Sequence, residues 1–342
     1  MPNILVTGGA GYIGSHNVLA LLKKGYDVVI FDNLETGHKE IVDVLTSISA
    51  KGKVIDFIKG DLKNYDDIES VFKIYDIAAV IHFAAYSLVG ESVSNPQKYY
   101  YNNVFGTLNL LKAMLENNVN KIVFSSSAAV YGEPVTVPMD ENHPKNPINP
   151  YGKSKLMIEN IMDDYDLAYG LRSIRLRYFN VVGADSSCLT GEWHDNETHL
   201  IPNILKASFS DEDKVFKLYG NDYDTNDGTC IRDYINVEDL AKAHILSLEC
   251  LLNGGYTDTF NLGTRSGDSV KEVFKICEEV VSEKIPLVVE PKREGDPVCL
   301  VADNTKIKDL FGWSPKTSLK DSITTAYNWE KYLQDNFLKI KN

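Results

Sequence analysis

Three side chains in the middle of the chain are suited to proton and hydride transfer. A serine run, Ser125–Ser127, follows a strand-like segment, and the sequence "NPYGKSK" then places Tyr151 four residues before Lys155. At this spacing the phenol and the ammonium share one face of a helix that begins near Pro150. The ammonium favours the phenolate, and Ser127 can bind the same alcohol oxygen. The set is therefore suited to oxidising an alcohol, although an ordinary helix start with a solvated lysine is the alternative.

A glycine-rich loop is the candidate site for a hydride acceptor. The sequence "TGGAGYIGSH" has Gly8, Gly11 and Gly14 between a strand-like and a helical segment. These glycines suit a tight turn, a close approach of a pyrophosphate and close packing of helix on strand. The next strand ends at Asp32, where a carboxylate can bind a ribose diol and would repel a 2′-phosphate. This pattern favours NAD over NADP, and Asp61 after the third strand is a weaker candidate for the adenine.

Strand-like and helical segments alternate through the first half of the chain. Such alternation predicts βαβ units and a doubly wound parallel sheet of the Rossmann type. Strands are predicted at Ile4–Val6, Val28–Phe31, Phe57–Lys59, Ala79–Phe83, Ile122–Ser125 and Ser173–Arg177, and helices at Gly14–Lys24, Tyr65–Lys73, Pro96–Asn117 and Tyr151–Tyr169.

The alternation of strand-like and helical segments ends after about residue 180, which predicts a smaller, mixed α/β C-terminal lobe. We expect an NAD-binding domain over 1–180, to which a segment at about 230–265 returns, and a mainly substrate-binding lobe over 181–342. The later predicted elements are helices at Glu238–Leu252, Val270–Ser282 and Leu319–Gln334, and a strand at Thr259–Leu262.

Composition limits the possible partners. The 342 residues carry a net charge of −13, which argues against binding nucleic acid or an anionic membrane. The five cysteines are scattered without a CxxC pair, as expected for free thiols in a reducing cytoplasm. No apolar run approaches the length of a membrane helix, and the chain starts without a signal-like segment.

Several further segments carry a family resemblance. The segments "HFAAYSLVGESVSNP", "FSSSAAVYG", "PYGKSKLMIE", "LRYFNVVGA", "GNDYDTNDGTCIRDYINVEDLA" and "KREGD", with the glycine loop, resemble the UDP-glucose 4-epimerase family of extended short-chain dehydrogenases/reductases. The resemblance spans nearly the whole chain. It implies reversible interconversion of UDP-glucose and UDP-galactose: hydride transfer to tightly bound NAD, rotation of a 4-keto sugar and return of the hydride.

The resemblance also implies site residues, with Ser127, Tyr151 and Lys155 as the catalytic set. The implied NAD contacts, besides Gly8, Gly11 and Gly14, are Tyr12, Ile13, Asp32, Asn33, Asp61, Leu62, Phe83, Ala84, Ala85, Asn102, Ser127, Tyr151, Lys155 and Phe179. The implied UDP-hexose contacts are Ser127, Tyr151, Asn180, His199, Leu200, Tyr219, Arg232, Arg293, Asp296 and Leu300. From chemistry alone, the two arginines are fork-shaped donors suited to a diphosphate, with surface ion pairing as the alternative.

The chain departs from the family pattern at three positions. Ser87 stands where a lysine is familiar, and His199 where many members have asparagine. Leu300 stands where a tyrosine gates the sugar pocket in some members. A smaller residue there predicts that an N-acetylated UDP-sugar could enter.

Three other functions are possible on the same fold. A nucleotide-sugar 4,6-dehydratase needs an acid pair after the serine, and a decarboxylase usually shows an acidic residue there, but this chain has Ala128 and Ala129. A non-catalytic NAD-sensing protein of the same fold could lose the tyrosine or the lysine, whereas this chain keeps Ser127, Tyr151 and Lys155.

The segment "GEWHDNETH" contains His194, Asp195, Glu197 and His199. Its histidines are five residues apart in a loop and have no cysteine partner, so we predict no metal and expect a flap over the sugar nucleotide.

The resemblance further implies a homodimer formed through Pro96–Asn117 and Tyr151–Tyr169.

Overall fold

The computed structural model describes residues 3–48, 55–209, 215–293 and 296–338. These residues form two compact units. The first contains the described residues of 1–133, 141–178 and 241–261, and the second those of 134–140, 179–240 and 262–342.

The strands are short and lie in both units. In chain order they are β1 (Asn3–Thr7), β2 (Asp27–Asp32), β3 (Ile55–Lys59), β4 (Ile77–His82), β5 (Lys121–Ser125), β6 (Arg172–Tyr178), β7 (Asn180–Val182), β8 (Phe216–Tyr219), β9 (Ile231–Arg232), β10 (Tyr234–Asn236), β11 (Asp258–Leu262), β12 (Asp268–Ser269), β13 (Leu287–Glu290) and β14 (Cys299–Leu300).

The helices connect these strands. In chain order they are α1 (Tyr12–Lys24), α2 (Lys39–Ser47), α3 (Tyr65–Ile74), α4 (Val89–Ser94), α5 (Pro96–Tyr99), α6 (Gly106–Glu116), α7 (Pro150–Tyr169), α8 (Leu200–Ser208), α9 (Val237–Leu252), α10 (Val270–Val281), α11 (Thr305–Phe311) and α12 (Leu319–Leu333). Within the described ranges, none of them has the length and apolar character that crossing a membrane requires.

A seven-stranded sheet forms the centre of the first unit. Its strand order is β11-β6-β5-β4-β1-β2-β3, and the neighbouring pairs from β6 to β3 are parallel. The strand order reverses between β1 and β4, which is where sheets of this kind bind ligands beyond the carboxyl ends of their strands. The predicted doubly wound α/β fold is confirmed.

The central strands are buried because their sequences are apolar throughout. Ile4, Leu5 and Val6 are fully buried, as strands covered on both faces require. Side chains of β1, β2, β4 and β5 pack with α3, α6 and α7 in one apolar cluster. Close packing of this kind fixes the strand ends, and therefore the loops that follow them, in place.

The predicted helix over Pro96–Asn117 forms, but not as a single α-helix. The chain forms α5, then a π-helical turn at Tyr100–Phe105, then α6. The wider turn accompanies the buried Asn103, whose amide bonds the backbone of Tyr86 and the hydroxyl of Ser154. Turns of this type often lie at functional sites.

The second unit is built from small sheets and helices. Strand β10 pairs with β7, β8 with β13, and β9 lies between β12 and β14. An apolar cluster joins α8, α10 and α12, with Ile204, Cys277 and Ile323 fully buried. Helix α8 and strands β8 and β13 were not predicted from the sequence, because their apolar runs are short.

Candidate active site

The glycine loop between β1 and α1 is so closely packed that two of its positions have no room for a side chain. Gly8 has φ +72°, and a side chain there would lie 2.6 Å from the nitrogen of Ala84. A side chain at Gly14 would lie 2.0 Å from the oxygen of Gly8, so α1 packs directly on the loop. Gly11 is the N-cap residue of α1, and no side-chain hydrogen bond caps the first turn, in which Tyr12 and Ile13 lie. This arrangement fits a pyrophosphate at the helix N-terminus.

Asp32 lies at the end of β2 and is held by the backbone. Its carboxylate accepts hydrogen bonds from the N–H of Ala10, at 3.0 Å, and of Leu34, at 2.8 Å. Burial raises the pKa of Asp32, while these two hydrogen bonds oppose the rise. A fixed, mostly buried carboxylate beside the glycine loop fits the diol of a ribose.

Asp61 and Asn33 come together from neighbouring strand ends. Asn33 donates to Asp61 at 3.1 Å, and the N–H of Lys63 donates to the same carboxylate at 2.8 Å. Despite burial, which acts in the other direction, these contacts lower the pKa of Asp61. Leu62, also predicted as a contact, is buried beside Asp61.

The residues after β4 border the same loop. The N–H groups of Phe83 and Ala84 donate to the carbonyl of Thr7, so this segment follows the end of β1, and Ala85 comes next. Asn102 lies in the π-helical turn and donates to Asn103. The structure thus places most of the predicted dinucleotide contacts at one edge of the sheet.

Ser127, Tyr151 and Lys155 meet at the carboxyl end of β5. Ser127 caps a 3-10 turn at Ala128–Val130, and its side chain hydrogen-bonds Tyr151. The Nζ atom of Lys155 donates to the carbonyl of Ser125 at 2.7 Å and lies 5.9 Å from the centre of the Tyr151 ring. The predicted trio therefore shares one site, in which Tyr151 and Lys155 are buried and Ser127 is half-buried.

The start of α7 positions two members of this trio. Asn149 caps the helix by accepting the N–H of Gly152 at 2.8 Å, and Pro150 occupies its first turn. A side chain at Gly152 would lie 2.3 Å from the carbonyl oxygen of Ala129. Only glycine at this position lets α7 bring Tyr151 against the serine turn, a requirement that the sequence analysis missed.

Burial dominates the protonation of the trio. It raises the pKa of Tyr151, against the hydrogen bond from Ser127, and it lowers the pKa of Lys155 to about 7, against the charge of Glu159. The shift of Tyr151 is opposite to the lowering that the sequence predicted, because burial outweighs the neighbouring groups. Lys155 therefore changes its charge near neutral pH.

Behind the lysine lies a buried ion pair that the sequence analysis missed. Glu159 accepts two hydrogen bonds from Arg177, at 2.9 and 2.6 Å, and a third from Ser126 at 2.6 Å. Arg177 also donates to the hydroxyl of Tyr131 at 2.8 Å. Glu159 lies one helical turn after Lys155, and this spacing is the signal that could have identified it.

Apart from Ser127 and Tyr151, the predicted substrate residues lie in the second unit, together with Phe179, whose N–H donates to the carbonyl of Leu262. Arg232, expected as a diphosphate donor, is paired with Asp296 at 2.5 Å and donates to the carbonyl of Ile231. Arg293 stacks over the ring of Tyr219, 4.1 Å from its centre. The two arginines thus differ, since the side chain of Arg232 is largely buried and Arg293 is exposed.

The remaining predicted contacts border this group or lie at the start of α8. Leu300 on β14 is in register with Arg232 on β9, and Asn180 begins β7. His199 and Leu200 stand at the N-terminus of α8. The ring of His199 bonds Glu192 at 2.8 Å and Glu197 at 3.0 Å, so its predicted contact with substrate stays a prediction. Glu294 and Gly295 of the "REGD" segment lie outside the described residues.

The doubly wound sheet, the glycine loop and the Ser–Tyr–Lys set define a dinucleotide-dependent enzyme of the short-chain dehydrogenase type. A family model described as GDP-mannose 4,6 dehydratase matches residues 5–326. UDP-glucose 4-epimerases of Halalkalibacterium halodurans and Lactobacillus helveticus are 48% and 50% identical over 96% of this chain, and over 95% and 97% of their own lengths.

A solved structure is similar over the whole chain. It is the UDP-glucose 4-epimerase of Bifidobacterium longum in complex with NAD+ and UDP, which is 40% identical, with a TM-score of 0.92, over 98% of this chain and all of that one. The chain belongs to the UDP-glucose 4-epimerase family.

Proposed function

We propose that the protein interconverts UDP-glucose and UDP-galactose with tightly bound NAD. The observation that carries the proposal is the site where the half-buried Ser127 meets the buried Tyr151 and Lys155, beside the turn at Ala128–Val130. Relatives at about half identity over nearly the full length are UDP-glucose 4-epimerases, and one of similar fold was crystallised with NAD+ and UDP.

NAD, when bound, accepts a hydride from C4 of the hexose and returns it. In this proposal the glycine loop binds the pyrophosphate, Asp32 binds the adenosine ribose, and Asp61 with Asn33 lies toward the adenine. Lys155 binds the nicotinamide ribose from the carboxyl end of β5, with Asn102 and Phe83 as further contacts. The fixed Asp32 carboxylate favours NAD over NADP, because a 2′-phosphate would meet a negative charge.

Tyr151 takes the proton of the hexose 4-hydroxyl and returns it when the hydride comes back. Since burial holds the pKa of Tyr151 high, positive charge near the phenol is needed to form the phenolate. Lys155 supplies this charge when it is protonated. Ser127 donates a hydrogen bond to the same sugar oxygen and steadies its developing charge.

The second unit supplies the contacts to UDP. Arg293 is exposed and presents a guanidinium that can bind a diphosphate, while Arg232 is already paired with Asp296. We propose Tyr219, Asn180, Leu200 and His199 as further substrate contacts. Binding energy concentrated on UDP leaves the sugar free to turn between the two hydride transfers.

The dehydratase named by the family model is the nearest other function. It would have to remove water from the sugar with carboxylic acids next to the serine. Here those positions are Ala128 and Ala129, whose methyl groups transfer no proton. The chemistry next to the serine therefore favours epimerisation.

The experiment is to incubate UDP-galactose with the purified protein without adding NAD. Conversion to UDP-glucose supports both the reaction and the retained cofactor. A 4-keto-6-deoxy product would replace the epimerase by the dehydratase. Conversion that depends on added NAD would contradict tight binding but leave the reaction standing.

We further propose that the protein works in the cytoplasm as a homodimer. Its five cysteines, all of them described, are free thiols. Apolar side chains are exposed on the segments proposed for the dimer, with Tyr101 and Phe105 stacked on each other in the π-helical turn and Met157 on α7. Sedimentation equilibrium should give twice the chain mass, and Tyr101→Asp with Phe105→Asp should reduce it to one.

A further inference from the structure

A cluster of four ionisable side chains lies in the second unit, in the loop before α8. The sequence there repeats the pattern Glu-x-His, as Glu192-Trp193-His194 and as Glu197-Thr198-His199. One nitrogen or oxygen of each side chain lies within 4.8 Å of the others. No metal is predicted here from the sequence, because the histidines are five residues apart in a loop without a cysteine partner; Glu192 is the member of the cluster that this prediction leaves out.

The nitrogen–oxygen distances within the cluster range from hydrogen-bond length to the separation of two ligands on one ion. Nδ1 of His199 lies 2.8 Å from Glu192 and 3.0 Å from Glu197, and Nδ1 of His194 lies 3.5 and 3.3 Å from the same residues. Ligands about 2.0–2.2 Å from a tetrahedral zinc ion are about 3.3–3.6 Å apart. The two rings lie side by side with centres 5.2 Å apart. A cation between the four atoms would need only small movements of their side chains.

Charge and burial also suit a divalent cation. The side chains of Glu192 and Glu197 are 9% and 5% exposed, so two carboxylates lie close together with little water. Lys206 is 3.9 Å from Glu197, at the outer limit of an ion pair. The competing arrangement is an ion-pair cluster in which a protonated His199 lies between the carboxylates.

The loop is held in place before any ion binds. One oxygen of Glu197 accepts the N–H groups of Thr198 and His199, both at 2.8 Å. The indole N–H of Trp329 donates to the carbonyl of Glu192 at 2.9 Å, and Gly191 packs against the same ring. Outer contacts of this kind orient metal ligands and raise affinity.

We propose that Glu192, His194, Glu197 and His199 bind one divalent transition-metal ion of the zinc type. Two imidazoles and two carboxylates are a nitrogen and oxygen set that suits Zn2+ or Co2+, and four protein ligands make a closed, structural site. The ion joins the loop to the N-terminus of α8 and, through Trp329, to α12. The site shares His199 with the proposed substrate contacts but contains none of Ser127, Tyr151 and Lys155. Metal binding can therefore be tested independently of the proposed reaction.

The test is metal binding by the full-length protein, freed of tags and treated with a chelator. Titration with ZnCl2 or CoCl2 in a calorimeter should show one ion per chain, and Co2+ should show the visible absorption bands of a tetrahedral site. Metal should also raise the melting temperature. Glu192→Gln and His194→Gln should each weaken binding at least about tenfold.

The matched control is Asp195→Asn. Asp195 is exposed in the same loop and is outside the cluster, so this variant removes the same charge without removing a ligand. It should bind Zn2+ like the wild type. If the wild type takes up neither metal, or if the Glu192→Gln/His194→Gln double variant binds as tightly as the wild type, the four residues are an ion-pair cluster only. The Co2+ spectrum of the wild type decides the matter even if a variant fails to fold.

Discussion

Replacing Glu159 by glutamine should destabilise the protein strongly while barely changing its shape. The side chains of Glu159 and Arg177 are 1% and 3% exposed, and two short hydrogen bonds join them. Glutamine is nearly isosteric, so the core stays filled. What is lost is the charge that compensates the buried guanidinium.

The expected magnitude follows from this burial. Removing one partner of a buried ion pair costs about 3–5 kcal/mol, because the other charge is left uncompensated. For a chain of this size, roughly 2 °C of melting temperature corresponds to each kcal/mol, which gives a decrease of about 6–10 °C. Arg177→Met should cost a similar amount, and the double variant should cost at least about 1 kcal/mol less than the two single changes together.

The assay is thermal unfolding, at one pH, of the wild type, Glu159→Gln, Arg177→Met and the double variant. Glu279→Gln is the matched control. Glu279 pairs with Lys320 on the surface, where both side chains are more than half exposed, so its loss should hardly change the melting temperature. If Glu159→Gln loses no more stability than Glu279→Gln, or if the two buried changes are additive, the argument from the buried pair is wrong.

The stability that the Glu159–Arg177 pair contributes should depend on pH. Although burial acts in the other direction, Arg177 and Ser126 lower the pKa of Glu159 below its usual value of 4.5. The stabilisation is therefore present above about pH 4.5 and is lost as the pH falls through the folded-state pKa. The difference in melting temperature between the wild type and Glu159→Gln should shrink in acid.

Four further predictions follow from the site. Tyr151→Phe should still bind NAD and UDP but lose at least about a hundredfold of turnover, measured with UDP-galactose; full activity would end its role as the base. Gly14→Ala, whose new methyl group meets the carbonyl of Gly8, should cost about 1–3 kcal/mol and lower the NAD retained per chain, whereas Gly90→Ala, with nothing within 4 Å, should do neither. Burial lowers the pKa of Lys155 from 10.5 to about 7, so between these values the unfolded chain binds more protons than the folded chain. The wild type should therefore gain stability relative to Lys155→Met as the pH rises from 7 to 10. A difference in stability that stays constant over this range would contradict the pKa shift. Leu300→Tyr should reduce turnover of UDP-N-acetylglucosamine more than that of UDP-glucose, and a wild type without activity on the acetylated sugar would overturn this reading of Leu300.

The sequence was most informative where backbone geometry demands a particular residue. Glycines at 8, 11 and 14 after an apolar strand, with Asp32 at the next strand end, predicted the loop and its neighbour, because few other arrangements use that spacing. The apolar strands likewise predicted the parallel sheet. The glycine spacing and the apolar runs each lie within a short stretch of chain, so they can be recognised in one sequence.

Long-range pairing was not predictable in the same way. The pairing of Glu159 with Arg177 joins α7 to β6. The spacing of Glu159 from Lys155 points to the glutamate, but no local pattern identifies Arg177 as its partner. The π-helical turn depends on Asn103 reaching Tyr86 and Ser154, which only the folded chain brings together. Burial reversed the expected pKa shift of Tyr151 for the same reason, since the extent of desolvation is a property of the finished core.

The seven-stranded sheet has a consequence for how the protein is made. Its edge strand β11 is synthesised only after the whole segment from Phe179 to Leu240 of the second unit. At about 5–20 residues per second, β6 waits several seconds on the ribosome with unpaired backbone groups along one side. A chain truncated at residue 240 would keep that open edge permanently. Such fragments should aggregate or be degraded, so premature stop codons anywhere before β11 are expected to leave no stable dinucleotide-binding domain.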